Sequence, residues 1–147
     1  MRRIALMLLL AASLNAAAQP TSQPGRIFAT RDVIEAAAAA EGEPIHATIE
    51  IVVQATGSEH GVLFLNSEKD YRDPRNITVE LWPSSIAELQ QRFGEKLPEA
   101  MIGQRIRVAG YARRVTIWFY CQGMRTDKYY YQTHLPVADG QQVHRVL

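Results

Sequence analysis

Residues 68–76 combine an aromatic ring, cations and carboxylates, which are the residue types that recognise a flat anionic ligand. Tyr71 can stack on a planar ring, as aromatic side chains do on the bases of single-stranded nucleic acids. Arg72 and Arg75 flank it and can hold phosphates or carboxylates through charge-assisted hydrogen bonds. This spacing predicts a contact loop for an anionic ligand.

The carboxylates of the same loop leave two other interpretations open. Glu68, Asp70 and Asp73 could supply oxygen ligands to calcium, although their spacing matches no EF-hand. Alternatively, Asp70 or Asp73 bridges Arg72 or Arg75, and the loop is ordered by its own ion pairs. In that case the arginines are not available to a ligand.

A second set of residues, nearer the C-terminus, is aromatic and basic. Its members are Arg113, Arg114, Trp118, Tyr120, Arg125, Lys128, Tyr129, Tyr130, Tyr131 and His134. Because side chains alternate along a strand, Arg114, Trp118 and Tyr120 are predicted to share one face. An exposed face of this kind binds single strands by stacking and charge. The alternative is that these aromatics pack over the sheet, as strand aromatics commonly do.

The chain contains no motif for catalysis, metal or cofactor binding. The four histidines, His46, His60, His134 and His144, have no metal-ligand spacing, and no HExxH or glycine-rich phosphate loop occurs. Cys121 is the single cysteine, which excludes an intramolecular disulfide, and its phase with Val115 and Ile117 predicts a buried side chain. We therefore expect no enzymatic activity, no metal and no cofactor.

The first residues have the pattern of an export signal. Arg2 and Arg3 precede an apolar run over residues 4–14, and small residues end at Ala18. The run is too short for a stable membrane span. We expect cleavage after Ala18, a flexible linker over residues 19–29, and one domain over residues 30–147 in the periplasm or outside the cell, with no integral membrane span.

Charge is unevenly distributed along the expected mature chain. The whole sequence has 16 Lys and Arg and 15 Asp and Glu, and loss of Arg2 and Arg3 leaves 14 basic residues. This balance excludes a general polyanion binder. Residues 101–147 nevertheless hold seven basic and two acidic side chains. The basic half could form one positive face or be neutralised by the acidic half, and both interpretations stay open.

The periodicity of apolar residues predicts a mainly β domain. The predicted helices cover 32–40, capped by Thr30 or Asp32, and 85–93, with a Ser85–Glu88 capping box. Glycines 57 and 61 bound a predicted turn, and Gly110 is predicted to interrupt a strand. The predicted strands are 45–54, 61–66, 77–82, 105–108, 113–121, 129–137 and 142–147.

Three strands, a helix and two further strands is the order of the five-stranded Greek-key barrel called the OB-fold. We therefore expect a small OB-like barrel with one helix between strands 3 and 4, plus a short N-terminal helix and C-terminal strands. The chain also resembles OB-fold domains of exported bacterial proteins. The residues that carry this resemblance are GEPIHATIEIVVQA, GVLFLNSEKDYRDPRNITVEL and IGQRIRVAGYARRV.

The resemblance implies a binding module rather than an enzyme. Nuclease barrels similar to thermonuclease carry an Asp-Gly-Asp-Thr type motif, whereas Asp139-Gly140 is followed here by glutamines. We expect a shallow groove for single-stranded nucleic acid, another oligomeric anion or an oligosaccharide. An envelope protein-interaction domain without a nucleic-acid ligand is the alternative. The predicted ligand-binding residues are Tyr71, Arg72, Arg75, Arg113, Arg114, Trp118 and Tyr120.

Overall fold

A computed structural model describes residues 25–147 of the chain. The predicted signal peptide and most of the predicted linker lie outside the described residues. The described part is mainly β and contains eight strands in one mixed sheet. The strands are β1 (Ile27–Phe28), β2 (Ile45–Val52), β3 (Ala55–Glu59), β4 (Val62–Asn66), β5 (Ile77–Leu81), β6 (Arg105–Cys121), β7 (Met124–Val137) and β8 (Val143–Arg145).

The strands are ordered β1-β2-β6-β7-β5-β4-β3 across the sheet, with β8 paired to β6. Strand β2 is second from one end of this order and β3 is at the other end, yet the two are joined by only Val53 and Gln54. The N–H of Val53 donates to the carbonyl of Gln104, while that of Gln54 donates to the carbonyl of Asn66. The chain thus bridges the two ends of the sheet, an arrangement consistent with an OB-like fold.

The predicted turn over residues 57–61 is wrong. Residues 55–59 form β3, which pairs antiparallel with β4, and the turn is confined to His60 and Gly61. Both have positive φ, 48° and 80°. A two-residue hairpin of this hand requires such values, because they match the twist of the flanking strands.

The predicted strand break at Gly110 is also wrong, because β6 runs unbroken through it. A Cβ at Gly110 would lie 2.8 Å from Cδ2 of Leu135. Glycine therefore allows a close approach of β7 instead of ending the strand. On either side of this region β6 changes partner, since residues 105–112 pair with β2 and residues 113–121 pair with β7.

The expected barrel of five strands plus C-terminal strands is a sheet of eight strands. The predicted strand over residues 45–54 is β2, and β3 forms where a turn was predicted. The predicted strands over residues 105–108 and 113–121 are one strand, β6. The predicted C-terminal strands over residues 129–137 and 142–147 are found in β7 and β8, and β8 pairs with β6. The two-residue strand β1, which pairs with β2, was not predicted, because it has too few residues for an alternating pattern to be detected.

Helix α1 (Thr30–Ala39) and helix α2 (Pro83–Phe93) are present near their predicted positions, but the predicted caps are wrong. The N-cap residues of the two helices are Ala29 and Trp82, and neither makes a side-chain capping hydrogen bond. Ser85 lies inside α2, where its hydroxyl donates to the carbonyls of Trp82 and Val137 at 2.9 and 3.1 Å. The serine therefore ties α2 to the end of β7.

The core lies between α2 and the inward faces of the strands. Leu89 of α2 is buried against it, and Ile86 and Phe93 pack at its margin. The strands contribute fully buried side chains such as Ile49 and Leu135. Burying each such side chain stabilises the fold by about 1.5–3 kcal/mol. No helix within residues 25–147 is long and apolar enough to cross a membrane.

Candidate functional site

The hairpin formed by β6 and β7 presents two faces with different chemistry. Directly paired residues of antiparallel strands place their side chains on the same face. Pairing of Trp118 with Tyr129 and of Thr116 with Tyr131 defines one face. The opposite face is defined by the pairing of residues 113, 115 and 117 with 134, 132 and 130.

The first face carries a continuous row of rings and cations, which we call the aromatic ladder: Arg114, Tyr131, Tyr129, Trp118 and Arg125. The ring centroids of Trp118 and Tyr129 are 5.0 Å apart, and those of Tyr129 and Tyr131 are 5.4 Å apart. The guanidinium carbons of Arg114 and Arg125 lie 4.3 Å from the Tyr131 centroid and 4.6 Å from the Trp118 centroid. Cations at these distances are attracted to the ring faces.

The ladder is accessible and positively charged. Tyr129 and Tyr131 are 49% and 45% exposed. The hydrogen bond with Tyr131 and the charge of Tyr131 raise the pKa of Tyr129, so the Tyr129 phenol stays neutral at ordinary pH. Within residues 25–147, neither Arg114 nor Arg125 forms a salt bridge. Their charges are therefore available to an anion.

Two of the predicted site residues, Arg114 and Trp118, are brought together in the ladder. Tyr120 lies beyond a register shift in the hairpin, opposite Arg125, and is 66% exposed near the tip. Cys121 is also exposed at this tip, so its predicted burial is wrong. The hairpin extends past the rest of the sheet here, since the other strands pair only with residues 105–112 of β6 and 133–137 of β7.

The second face of the hairpin forms one wall of a groove of about 520 Å³. The floor is the outward face of β4, β5 and β7, and β3 forms the other wall. Tyr71, 52% exposed, stands at the groove. The lining residues are Thr56, Gly57, Ser58, Glu59, Phe64, Asn66, Tyr71, Thr78, Ile117, Tyr130, Gln132 and His134.

The two arginines of the loop over residues 67–76 are held by the loop itself. Asp70 accepts hydrogen bonds from the backbone N–H and the guanidinium of Arg72 at 2.9 to 3.1 Å. Asp73 binds Arg75 in the same way, at 2.7 to 3.0 Å. The self-paired loop is thus the arrangement observed.

These contacts change the titration of both carboxyls. The hydrogen bonds from Arg75 lower the pKa of Asp73 to about 2, and those from Arg72 lower the pKa of Asp70. The carboxylates face guanidinium groups instead of converging on one point. In the described part of the chain, no group of three His, Cys, Asp or Glu could hold a metal ion.

Asn76 holds this loop against the groove floor. Its Nδ2 donates to Asn66 Oδ1 at 3.1 Å and to Thr78 Oγ1 at 2.9 Å. Its Oδ1 accepts from the N–H of Glu68 and from Ser67 Oγ at 3.0 and 3.3 Å. A buried amide with all these partners fixes where Tyr71 stands.

A chain of hydrogen bonds, which we call the relay, lies along the groove: Glu80, His134, Gln132 and Tyr130. His134 Nδ1 is 2.5 Å from Glu80 Oε1, and His134 Nε2 is 2.6 Å from Gln132 Oε1. Gln132 Nε2 donates to the Tyr130 hydroxyl at 2.8 Å. Burial would raise the pKa of Glu80, but His134, Trp82 and Arg113 together lower it. Burial raises the pKa of the Tyr130 phenol, which therefore keeps its proton.

Sequence reasoning placed the seven predicted site residues on one groove, and that arrangement is not found. Arg113 is opposite His134 on the groove face, whereas its neighbour Arg114 is on the ladder face. The basic C-terminal half does not form a single positive face, since Arg107 pairs with Glu50 at 2.6 Å. The alternation of consecutive strand residues separates Arg113 from Arg114.

The relay residues Gln132 and Tyr130 were missed as a functional group. Their spacing of two with His134 along β7 is a signal that they share a face, and it could have been used. Glu80 offered no such signal, because it is 54 residues away in sequence from His134. The two meet only through the parallel pairing of β5 and β7.

Comparison with known proteins gives a structural likeness only. No protein-family model and no curated protein matches the chain. An aspartyl tRNA synthetase from Entamoeba histolytica is similar in structure, with a TM-score of 0.50 and 14% identity over 99% of this chain. A putative aspartyl-tRNA synthetase from Leishmania major Friedlin has a TM-score of 0.47 and 12% identity over 92% of this chain.

The chain spans 28% and 23% of the lengths of these two proteins. At such identities the likeness to the first structure concerns the fold alone, because one fold supports many functions. The strand order and this likeness together show a mainly β, OB-like fold.

Proposed function

We propose that this chain is an exported OB-fold module that binds single-stranded nucleic acid on the aromatic ladder. The observation that carries the proposal is the uninterrupted row of three rings between Arg114 and Arg125. Stacking of a base on an aromatic side chain is worth about 1–3 kcal/mol, and any base can stack. The flanking guanidinium groups attract the phosphates between the stacked bases.

The groove on the other face of the hairpin adds a second contact region. It lies on the outward face of β4 and β5, which correspond to the second and third strands of the predicted barrel, where OB-folds bind oligonucleotides and oligosaccharides. Tyr71 and Tyr130 offer rings there. Arg113, opposite His134 on the same face of the hairpin, offers a charge beside the groove. A strand that crosses the hairpin edge can reach both faces.

Export is supported by the first 18 residues, whose positive start, apolar run and small residues have the order of a signal peptide. The proposed location is therefore the periplasm or the extracellular space. We assign the module no catalytic role, no metal and no cofactor.

The test is a binding titration with a fluorescently labelled oligothymidylate at increasing salt. Each cation that neutralises a phosphate of a single strand contributes about −0.7 to the slope of log affinity against log salt. We expect a slope steeper than about −1.4, from at least Arg114 and Arg125. An affinity that does not change with salt would contradict the proposal.

The tip of the hairpin favours a second candidate function, a protein-interaction domain of the cell envelope. Phe119, Tyr120 and Met124 are exposed together there, and Met124 reaches 70% exposure. Exposed apolar groups of this kind mark protein contacts when they cluster. Recovery of an envelope protein that depends on Met124, with no retention of oligonucleotide, would favour this second function.

A further inference from the structure

The relay contains one imidazole, that of His134, and both of its ring nitrogens are engaged. His134 stands between two oxygens, those of Glu80 and Gln132, and its side chain is only 12% exposed. As an imidazolium it donates to both oxygens. Histidine takes up and loses its proton between about pH 5 and 8 in many proteins.

We propose that His134 determines whether the groove presents a hydrogen-bond donor or an acceptor to a base of the bound strand, through Gln132 and Tyr130. The inference rests on the proposed function, because it concerns a strand that reaches the groove. It names His134 as a positioning residue, since it acts through its two neighbours.

In the protonated state the direction of each hydrogen bond is set. The imidazolium donates to the amide oxygen of Gln132, so the amide nitrogen donates to the Tyr130 oxygen. Tyr130 then has its own O–H left over. The groove presents this O–H as a donor and favours a base with an acceptor at that place.

Loss of one proton from the His134 imidazolium reverses the direction of the hydrogen bonds from His134 through Gln132 to Tyr130. Glu80 remains a carboxylate and requires the Nδ1–H, so Nε2 becomes an acceptor that faces Gln132. The Gln132 amide must rotate by half a turn to donate to Nε2. The Gln132 oxygen then accepts from the Tyr130 O–H. The groove therefore presents the lone pairs of the Tyr130 oxygen as a hydrogen-bond acceptor.

Few other charged groups face this histidine. Glu80 comes from β5 and Arg113 is its register partner on β6, while Gln132 and Tyr130 lie on β7 itself. Glu59 of β3 and Tyr71 of the loop line the same groove. Glu80 keeps its charge in this pH range, since its pKa is lowered.

The experiment compares oligothymidylate with oligocytidylate at pH 6 and pH 8 and constant ionic strength. Thymine presents an acceptor, O4, where cytosine presents the N4 amino donor. We expect the preference for thymine over cytosine to fall about fivefold from pH 6 to pH 8, which is the effect of about one hydrogen bond. An unchanged preference would overturn the inference.

Glu80→Gln is the decisive variant. A neutral His134 can then accept at Nδ1 from the new amide and keep Nε2–H directed at Gln132. The variant is expected to show the pH 6 preference at both pH values. Arg75→Ala, which removes no member of the relay, is the control and is expected to respond to pH as the native chain does.

The ¹⁵N NMR spectrum of the His134 ring separates this inference from the proposed function, because it needs no ligand. At pH 8 we expect the Nδ1–H tautomer in the native chain and the Nε2–H tautomer in the Glu80→Gln variant. The same tautomer in both would overturn the relay. Absence of oligonucleotide binding together with the expected tautomers would overturn the proposed function alone.

Discussion

The loop over residues 67–76 and the aromatic ladder contain the same kinds of residue but differ in what they leave free. Each has two arginines and at least one exposed tyrosine. In the loop, Arg72 and Arg75 are bound by aspartates two positions earlier. In the ladder, Arg114 and Arg125 lie over aromatic rings and form no salt bridge within residues 25–147.

The difference shows that composition alone does not measure the charge available to a ligand. An Asp two residues before an Arg in a turn can accept from both its backbone and its side chain, as Asp73 does with Arg75. A ring cannot neutralise a cation. A guanidinium stacked on Tyr131 keeps its charge and its outward-facing N–H donors.

The largest expected effect tests what orders the loop. Asn76→Ala removes the amide that bonds Asn66, Thr78 and the N–H of Glu68, and only the direct bond from Thr78 to Asn66 remains. We expect the free energy of unfolding to fall by about 2–3 kcal/mol. Urea denaturation measures this loss. In the control Arg75→Ala, which removes an exposed ion pair, the midpoint is expected to stay near the native value. Similar losses in both variants would show that the ion pairs order the loop.

The next effect tests stacking on the ladder. Trp118→Ala removes the ring between Tyr129 and Arg125, and we expect affinity for an oligothymidylate to fall by about 20-fold. The matched control is Tyr111→Ala, which removes an exposed ring of β6 that packs edge-on against His46, outside the ladder. Equal losses in the two variants, measured by fluorescence anisotropy, would contradict the ladder as the binding surface.

A smaller effect separates the two pairs of arginines directly. Arg114→Ala is expected to make the slope of log affinity against log salt shallower by about 0.7, because one phosphate contact is lost. Arg75→Ala is expected to leave the slope unchanged, since Asp73 already neutralises that charge. If both substitutions change the slope equally, the distinction between the loop and the ladder is wrong.

The smallest effect concerns the low pH at which Asp73 takes up a proton and its ion pair with Arg75 is lost. The lowered pKa of Asp73, about 2, means that its bond to Arg75 adds stability above the ordinary carboxyl range and loses it only as pH falls through about 2. A ¹³C NMR titration of the Asp73 carboxyl is expected to give a midpoint near that value. In Arg75→Ala the midpoint is expected to rise toward that of an ordinary Asp. A native midpoint near 4 would contradict the bonds described here.

Much of the fold could be predicted from periodicity, because burial on one side imposes it. Strands β4 and β5 and helix α2 lie within a few residues of their predicted bounds, and Leu89 is buried as its spacing requires. The errors occur where a local signal has two meanings. Gly110 could break a strand or allow a neighbouring strand to approach closely. The short distance to Leu135 shows that it allows the close approach of β7.

The candidate site was less predictable, because a local pattern did not indicate all of its contacts. In the loop, the aspartate that pairs with each arginine is two residues away, so this pairing is one of several that the sequence allows. The carboxylate partner of His134 is Glu80, which comes from another strand, and no pattern near either residue indicates the contact. Cys121 was expected to be buried because its apolar neighbours alternate with it, yet the hairpin extends past the rest of the sheet there and the side chain is exposed.

The alternating strands, the two helices and the residue types of the loop and the ladder could be predicted, because they depend on neighbours within a few positions. Which arginine charges remain unpaired, and which polar residues meet in the groove, is established only in the folded chain. These contacts depend on strand pairing, which joins residues as far apart as Glu80 and His134. A pairing over that distance is selected by the packing of the whole sheet and not by any short stretch of the chain.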